Sequence, residues 1–533
     1  MMANIALLLI FLPVLTAIVI YVLQPRRSHE IALVMQAVLT VFAVVYALHF
    51  QADFSETLIV IGGWEERIGI SLLNDRLSLP FVFMSLFLWW MVLIYTYDEH
   101  DSSPTFLFFL LFLQGVFMGV LQTNDLFNLF VFLELMTIIV TVLIAFRKIG
   151  SSIRAGIYYL LINTAGVLAF LIGVILLYYS FGTLNIAAIG GEMAGHGDYR
   201  VIQLSFVLMM TGATVKAALF PLFSWLPKAH GAAPSPISAL LSGIIVKAGI
   251  YMFIRLNDMF APAGIEYETF FLIVGLATGF VGAVFAVLQT NIKELLAYST
   301  LAQLGIILVG LVVMDGYSGG LLHVLNHALF KALLFLGAGL IVVVYRTKEL
   351  AKIRGVAKSM PVTTVMMFIG MLSIAGAPLT NGYVSKSFIT GALEGEPLLY
   401  YAVFLINVGS VAGFVKLSAI FFGEKKLSYP FSHIHKVLPL VLIAGACMAF
   451  GLFHVPLAET LLDVDLAHVS RFTLGGLLEF LVMVAFGALF VRFVLSRGFR
   501  TLARVGKFRL AFETANYLLV IYLAVLGVYF VLL

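Results

Sequence analysis

Cysteine and charge are both scarce in this sequence. Its single cysteine, Cys447, stands in an apolar run, which excludes an intramolecular disulfide and any cysteine-ligated cluster. Only 11% of its 533 residues are charged, where a soluble chain has roughly 25%. The net charge of +4 is small and spread out, so no nucleic-acid partner is suggested. There is no Walker A motif and no Gly-rich dinucleotide fingerprint. No helix carries a stripe suited to a quinone or haem. Nothing therefore points to ATP use, to electron transfer or to a bound cofactor.

Apolar residues are what the chain has instead. They make up 62% of it, with mean hydropathy +1.09, more than one soluble core can hide, so lipid must serve as solvent. Runs of the length needed to span a bilayer, about 20 residues, fall at about 4–23, 30–50, 77–97, 104–123, 126–147, 154–180, 201–226, 236–256, 268–289, 295–314, 318–345, 362–395, 399–422, 434–453, 472–495 and 511–532. The expectation is an all-α polytopic membrane protein of about sixteen helices. The first helix is too long for a signal-peptide core and reads as mature structure. The alternation of Leu58, Val60, Ile68 and Ile70 within the loop at 51–76 predicts a small hairpin outside the membrane.

Loop charge gives the orientation. With the N-terminus outside, the inner loops hold Arg26 and Arg27; Arg147, Lys148 and Arg154; Lys228; Lys293; Arg346, Lys348, Lys352, Arg354 and Lys358; Lys436; and Arg497, Arg500, Arg504, Lys507 and Arg509. The outer loops hold mostly acids: Glu56, Glu65, Glu66, Asp198, Asp315, Glu394, Glu396, Asp463 and Asp465. One inner loop, with Asp98, Glu99 and Asp101, lacks a basic residue, but acids count little in the positive-inside rule.

A repeat is also visible. Val120-Leu-Gln-Thr-Asn124 recurs as Val287-Leu-Gln-Thr-Asn291, about 167 residues on, each copy at a helix boundary. Leu161-Ile-Asn-Thr-Ala165 is echoed weakly by Val324-Leu-Asn-His-Ala328, and Lys216 and Lys386, each near a proline, are about 170 apart. The two pentapeptides fall on opposite sides of the membrane. This predicts an inverted repeat of about five helices per unit, with an ion path between the units. The corresponding division is 1–103 for the N-terminal helices, 104–256 and 268–422 for the two units, and 434–533 for the C-terminal helices.

Ionisable residues inside the helices carry the functional signal, since each charge costs about 2.5–3.5 kcal/mol at the bilayer centre unless paired or hydrated. Glu134 lies about nine residues into its helix, roughly 12 Å deep at 1.5 Å per residue. Lys216 precedes Pro221, which should break the helix, free carbonyls and admit water. Lys247 is mid-helix. His323, His327 and Lys331 share one helix face at i, i+4 and i+8, an arrangement suited to a proton relay. The two histidines could also bind a metal, but no third ligand is evident. Lys386 follows a second Gly- and Pro-containing break, Gly376-Ala-Pro-Leu-Thr-Asn-Gly382. His230 either links a water cavity to the buried lysines or caps a loop. Lys416 either belongs to the path or snorkels to an interface. Asp125 and Lys293 are either mouth residues or interfacially solvated helix ends.

Several runs are familiar: Asn124-Asp-Leu-Phe-Asn-Leu-Phe-Val-Phe-Leu-Glu134; Lys216-Ala-Ala-Leu-Phe-Pro-Leu-Phe-Ser-Trp-Leu-Pro-Lys-Ala-His230; Ala233 to Gly243 with Lys247; Leu296-Ala-Tyr-Ser-Thr300 with Gln303 and Gly305; and His323 to Lys331. Together they resemble the proton-translocating antiporter-like family over about residues 75–420. That family includes the large membrane-arm subunits of complex I, the A and D subunits of Mrp-type sodium/proton antiporters, and equivalents in membrane-bound hydrogenases. The resemblance implies a fourteen-helix core with two inverted five-helix units and broken helices 7 and 12; about two extra C-terminal helices, at 472–495 and 511–532, depart from that pattern. It places Glu134 on the fifth helix, Lys216 on the broken seventh, Lys247 on the eighth and Lys386 on the broken twelfth, along a central polar axis. Asp125-Leu-Phe-Asn-Leu and Gly182-Thr-Leu-Asn185 look most like the Mrp D type, whereas Ala233–Gly243 leans toward the complex I and hydrogenase relatives.

The expected function is a proton-translocating subunit of a multisubunit Na⁺/H⁺ antiporter in a prokaryotic cell membrane. Its partners would be other membrane subunits, protons, Na⁺ and lipid. The alternatives are a pumping subunit of a redox-driven complex and an inert scaffold.

Overall fold

The structure, a computed structural model, describes residues 2–53, 57–97, 103–195, 198–424, 433–462, 472–494 and 511–532. Glu56, Asp98, Glu99, Asp101, Asp463, Asp465 and the basic stretch 497–509 lie outside the described residues. Fourteen helices among the described residues are long and apolar enough to cross a membrane. Two further crossings are each made in two pieces, which gives the sixteen expected.

Helices α1 (Met2–Leu23) and α2 (Ser28–Asp53) lead to a hairpin, β1 (Thr57–Val60) with β2 (Ser71–Asn74), in which Thr57 opposes Asn74 and Val60 opposes Ser71. The second strand begins beyond Ile68 and Ile70, because Ile68 and Gly69 instead turn back onto the Glu65 carbonyl. Next come α3 (Ser78–Thr96), α4 (Pro104–Gln122), α5 (Leu126–Ala145), α6 (Gly150–Phe181) and the short α7 (Ile186–Glu192). The first broken crossing is α8 (Tyr199–Lys216) with α9 (Trp225–Ala232). The next is α10 (Ser235–Leu240), a π turn (Leu241–Ile245) and α11 (Val246–Phe260). Then follow α12 (Glu268–Leu288), α13 (Ile292–Val312), α14 (Tyr317–Tyr345) and α15 (Val356–Ser359). The second broken crossing is α16 (Pro361–Ala375) with α17 (Asn381–Gly391). The chain continues with α18 (Pro397–Ser418), α19 (Ile434–Leu452), α20 (His454–Leu462), α21 (Leu474–Val494) and α22 (Phe512–Gly527), which ends in a π turn (Val528–Leu532).

The breaks follow from local chemistry. Pro221 has no N–H and its ring excludes a helical turn against the carbonyl four residues earlier, so α8 stops at Lys216 and not at the expected position near 226. Several of the released groups find partners: Leu219 N donates to Thr214 O (3.0 Å), Phe220 N to Thr278 Oγ1 (2.9 Å) and Trp225 Nε1 to Val215 O (2.8 Å). In the second break Gly376 takes φ +78°, a left-handed conformation open to glycine at little steric cost, and closes α16 by donating to Ser373 O.

The two five-crossing units begin at α4 and at α12. An odd number of crossings separates them, so they run in opposite directions. Their corners match bond for bond. Leu126 N donates to Leu184 O and Ile186 N to Asn124 O; in the second unit Ile292 N donates to Lys348 O and Leu350 N to Thr290 O. Asp125 and Asn291 are the two N-caps, 166 positions apart. The pentapeptide identity is therefore one residue out of structural register, since Asn124 corresponds to Thr290. The lysine echo is looser still. Lys216 ends a first half-helix, whereas Lys386 lies within a second one.

A part-buried ion pair fastens the hairpin to the second part of the eighth crossing. Arg255 grips Asp75 through both nitrogens, at 2.5 and 2.8 Å, and also donates to Tyr251 Oη. Burial pushes the Asp75 carboxyl up, but Arg255 and Ser78 outweigh it and hold the group below its ordinary 3.8. Its contribution to stability is thus fully present above that value and is lost as pH falls through the lower folded one. Asp75→Asn leaves the part-buried Arg255 without its contact carboxylate and is expected to destabilise the subunit by about 1.5–3 kcal/mol. Thermal unfolding in detergent checks this: the variant melts lower at neutral pH and lacks the wild type's acid-dependent loss.

Candidate functional site: a buried row of lysines and histidines

Lys216 is 1% exposed and ends the last turn of α8. Helix carbonyls left unsatisfied at a C-terminus favour a cation. Its ammonium donates to Leu133 O at 3.2 Å and to Thr137 Oγ1, both on α5. Glu134 lies between those two residues in sequence and interacts electrostatically with Lys216, but no ion pair joins them among the described residues. The two groups thus sense each other's charge without a direct contact. Glu134 Oε2 accepts from Thr164 Oγ1 of α6 (3.2 Å), and Oε1 is buried without a hydrogen-bond partner. The packing that allows this is tight: Gly249 of α11 lies directly against the backbone of Lys216 and Ala217.

A second group surrounds α14. Lys247 is 2% exposed and donates to Ser242 O within the π turn; Ser242 Oγ is 2.8 Å from Thr300 Oγ1 on α13. His323 bridges two elements, with Nδ1 2.8 Å from Ser385 Oγ on α17 and Nε2 3.1 Å from Gln303 Oε1 on α13. Gln303 passes on to Ser410 Oγ of α18 at 3.2 Å. His327 has no hydrogen-bond partner on either ring nitrogen and is fully buried. It lies within electrostatic reach of Lys247, Lys331, His323 and Lys386, and so occupies the middle of the group. Lys331 donates to Ser299 Oγ (2.6 Å) and Leu296 O (3.1 Å) of α13. Lys386 reaches back to Ile374 O (2.6 Å), at the end of α16. Its ammonium therefore ends at the C-terminus of a first half-helix, whereas that of Lys216 leaves its own half-helix for α5.

The remaining candidates separate. His230 is fully buried, stacks on Phe335 at 4.4 Å and has neither ring nitrogen hydrogen-bonded; it sits within electrostatic reach of Lys247, Lys293 and Lys331. Lys293 donates to Ala233 O at 2.9 Å, which ties α13 to the start of the eighth crossing. Lys416 donates to Val287 O and Gln289 O (2.7 and 2.6 Å), closing the C-terminus of α12. Asp125 caps α5 by accepting from Asn128 N (2.6 Å), while burial pushes its carboxyl upward. Lys416 and Asp125 thus do the work of helix caps.

Sequence reasoning missed Thr137, Thr164, Ser242 and Ser385, the hydroxyls that hold these groups. For Thr137 a signal existed: a polar residue one turn beyond Glu134 on an apolar helix. Arg255, two turns beyond Lys247 on the same face, was equally visible as a charge in an apolar run. A cavity of about 660 Å³, lined in part by Tyr158, Phe220, Pro221, Ser224, Lys228 and Glu294, opens beside the first break. Among the described residues no group of three or more His, Cys, Asp or Glu is placed to hold a metal.

Residues 123–415 match the family described as NADH:quinone oxidoreductase/Mrp antiporter, transmembrane region. A Staphylococcus aureus (strain JH9) chain named as an antiporter subunit, mnhD2, is 30% identical over 445 residues, covering 80% of this chain and 87% of its own. Among solved structures, a chain of the membrane-bound sulfane sulfur reductase, an archaeal respiratory membrane complex, matches with TM-score 0.81 at 27% identity, over 90% of this chain and 99% of that one. A chain of the Mrp complex from Dietzia sp. DQ12-45-1b matches with TM-score 0.79 at 22% identity, over 89% and 99%.

Proposed function

This chain belongs to the NADH:quinone oxidoreductase/Mrp antiporter membrane family, and from that premise we propose that it is the proton-translocating subunit of a multisubunit Na⁺/H⁺ antiporter. One observation carries the reading: Lys216 is buried at the end of a broken half-helix, bonded to Leu133 and Thr137, within electrostatic reach of a carboxylate it does not touch. An ammonium beside a carboxylate keeps its proton, and one drawn away gives it up more readily. A lysine has a four-carbon flexible stem, so a small displacement of α8 against α5 exchanges the two sets of partners. Glu134 and Lys216 then form the switch, Lys247, His323, His327 and Lys331 relay, and Lys386 serves the distal half of the path. His230 connects the relay to one face, and the cavity beside Pro221 admits water to the break. The N-terminus lies on the outer side of a prokaryotic cell membrane.

A second reading has its own support, the likeness to a subunit of a respiratory sulfane sulfur reductase. There the same axis would be driven by a redox partner. An inert scaffold is disfavoured, because apolar residues at these positions would insert far more cheaply.

Purification of the tagged subunit from its host in mild detergent, with mass spectrometry and a visible spectrum, separates these readings. The expected result is a set of small hydrophobic subunits without flavin, iron–sulfur or nickel proteins, and Na⁺-dependent proton flux in vesicles. Cofactor-bearing peripheral subunits would replace the antiporter by a redox-driven pump.

A further inference from the structure

The last helix takes no part in the corners or the polar axis, yet it reaches the residue next but one to Lys216. Ala515, Leu519, Tyr522, Leu526 and Phe530 form its buried stripe. Most of that stripe is ordinary packing: the Phe530 ring sits 5.2 Å from Phe206 of α8 and 5.5 Å from Phe270 of α12. Tyr522 does something further. Its hydroxyl is 3.0 Å from Thr214 Oγ1, with both residues buried, and among the described residues this is the one side-chain hydrogen bond from α22 to another element.

The place of that bond gives it meaning. Thr214 is in the last turn of α8, and its carbonyl already receives Leu219 N across the break. A phenol placed in this apolar setting needs a partner, and phenylalanine would fill the same space without one. The aromatic ring thus explains the packing, and the hydroxyl explains only the contact with the turn that carries Lys216.

We propose that Tyr522 is a positioning residue for Lys216: by holding Thr214 it fixes the last turn of α8 and so sets whether the Lys216 ammonium reaches Leu133 and Thr137 or Glu134. This rests on Lys216 being the switching lysine. The titratable groups coupled to this turn are Glu134 on α5, within electrostatic reach of Lys216, Tyr159 on α6, within reach of Glu134, and Tyr522 itself. The bond also gives the C-terminal helix a direct hold on the broken crossing.

The test uses the assembled complex in vesicles, with Na⁺-driven proton movement followed across a pH series for Tyr522→Phe, Thr214→Val, their combination, Thr214→Ser and Lys216→Ala. Loss of one net hydrogen bond predicts a rate lower by roughly two- to ten-fold in each single variant. Both should shift the pH of half-maximal rate in the same direction, by roughly half a unit. The combination adds nothing further, and Thr214→Ser restores both readouts. If Tyr522→Phe does not assemble, Thr214→Val reads the same bond from its other end. A wild-type rate and pH profile in either single variant overturns the proposal. So does a rate that falls only in proportion to the subunit incorporated, with the profile unmoved. Wild-type transport by Lys216→Ala is a different result, and overturns the switching role of Lys216 itself.

Discussion

Membranes carrying Lys216→Ala or Glu134→Ala at wild-type subunit levels are expected to show no Na⁺-dependent proton movement, while Glu134→Asp retains a measurable fraction. Lys216 is buried at the end of a half-helix and donates to a carbonyl and a hydroxyl of α5. Removing it takes away the only ammonium that the structure brings to the Glu134 region from α8. The alanine removes a buried charge and leaves its former acceptors facing the break, so the fold should tolerate it better than the transport does. Glu134 keeps one oxygen on Thr164 and the other without a partner. That spare oxygen is the available second seat for the Lys216 ammonium. Aspartate shortens the side chain by one methylene but keeps a charge in the same place, hence the partial activity. The measurement is proton movement in everted vesicles at matched expression, verified by immunoblot. Full transport by Glu134→Ala would falsify the switching pair.

Gly249→Ala is expected to cost nearly as much, by a steric route. A Cβ built there falls 2.6 Å from the Lys216 carbonyl carbon and 2.7 Å from Ala217 Cα. Both are backbone atoms of the turn that ends α8, so no flexible side chain can yield. Overpacking of this kind typically costs about 1–3 kcal/mol. Here the strain falls where α8, the break and α11 meet, so relief must separate Lys216 from α5 or Lys247 from its π turn. Transport should fall by about ten-fold or more, with a lower thermal midpoint in detergent, in line with overpacking of about 1.4 kcal/mol or above. Gly391→Ala, where nothing lies within 4 Å of the added Cβ, is the control expected to behave as wild type.

The outline of this protein was legible in its sequence because lipid simplifies the problem. A bilayer demands apolar runs of about 20 residues with internally satisfied backbones, so sixteen crossings and two proline-linked breaks could be read from the order of apolar runs, Gly and Pro along the chain. For the same reason a charge inside such a run stands out, and Glu134, Lys216, Lys247, His323, His327, Lys331 and Lys386 were all visible. The pentapeptide repeat found the right pair of corners but put them one residue out of step, since sequence identity followed Asn124 to Asn291 while the hydrogen bonds follow Asp125 to Asn291. Arg255, Asp75 and Tyr522 went unremarked. Asp75 lies just before a helix and Tyr522 on an element outside the repeat, where charge or hydroxyl is ordinary and only a partner distant in sequence gives it meaning; Arg255 stood out as a charge in an apolar run, but its partner did not.

The sequence by itself thus determined which residues are expensive in lipid, and where the chain must cross or break. Tertiary structure alone decided what those residues touch. It placed Lys216 on Leu133 and Thr137 instead of Glu134, sent Lys386 back to Ile374, made Lys416 and Asp125 into helix caps, and left His327 at the centre without a hydrogen bond. The physical reason is one of scale. Transfer into lipid is a property of each residue and its neighbours along the chain. A hydrogen bond is made or lost over a few tenths of an ångström, and long flexible side chains meet their acceptors only where separate helices have packed.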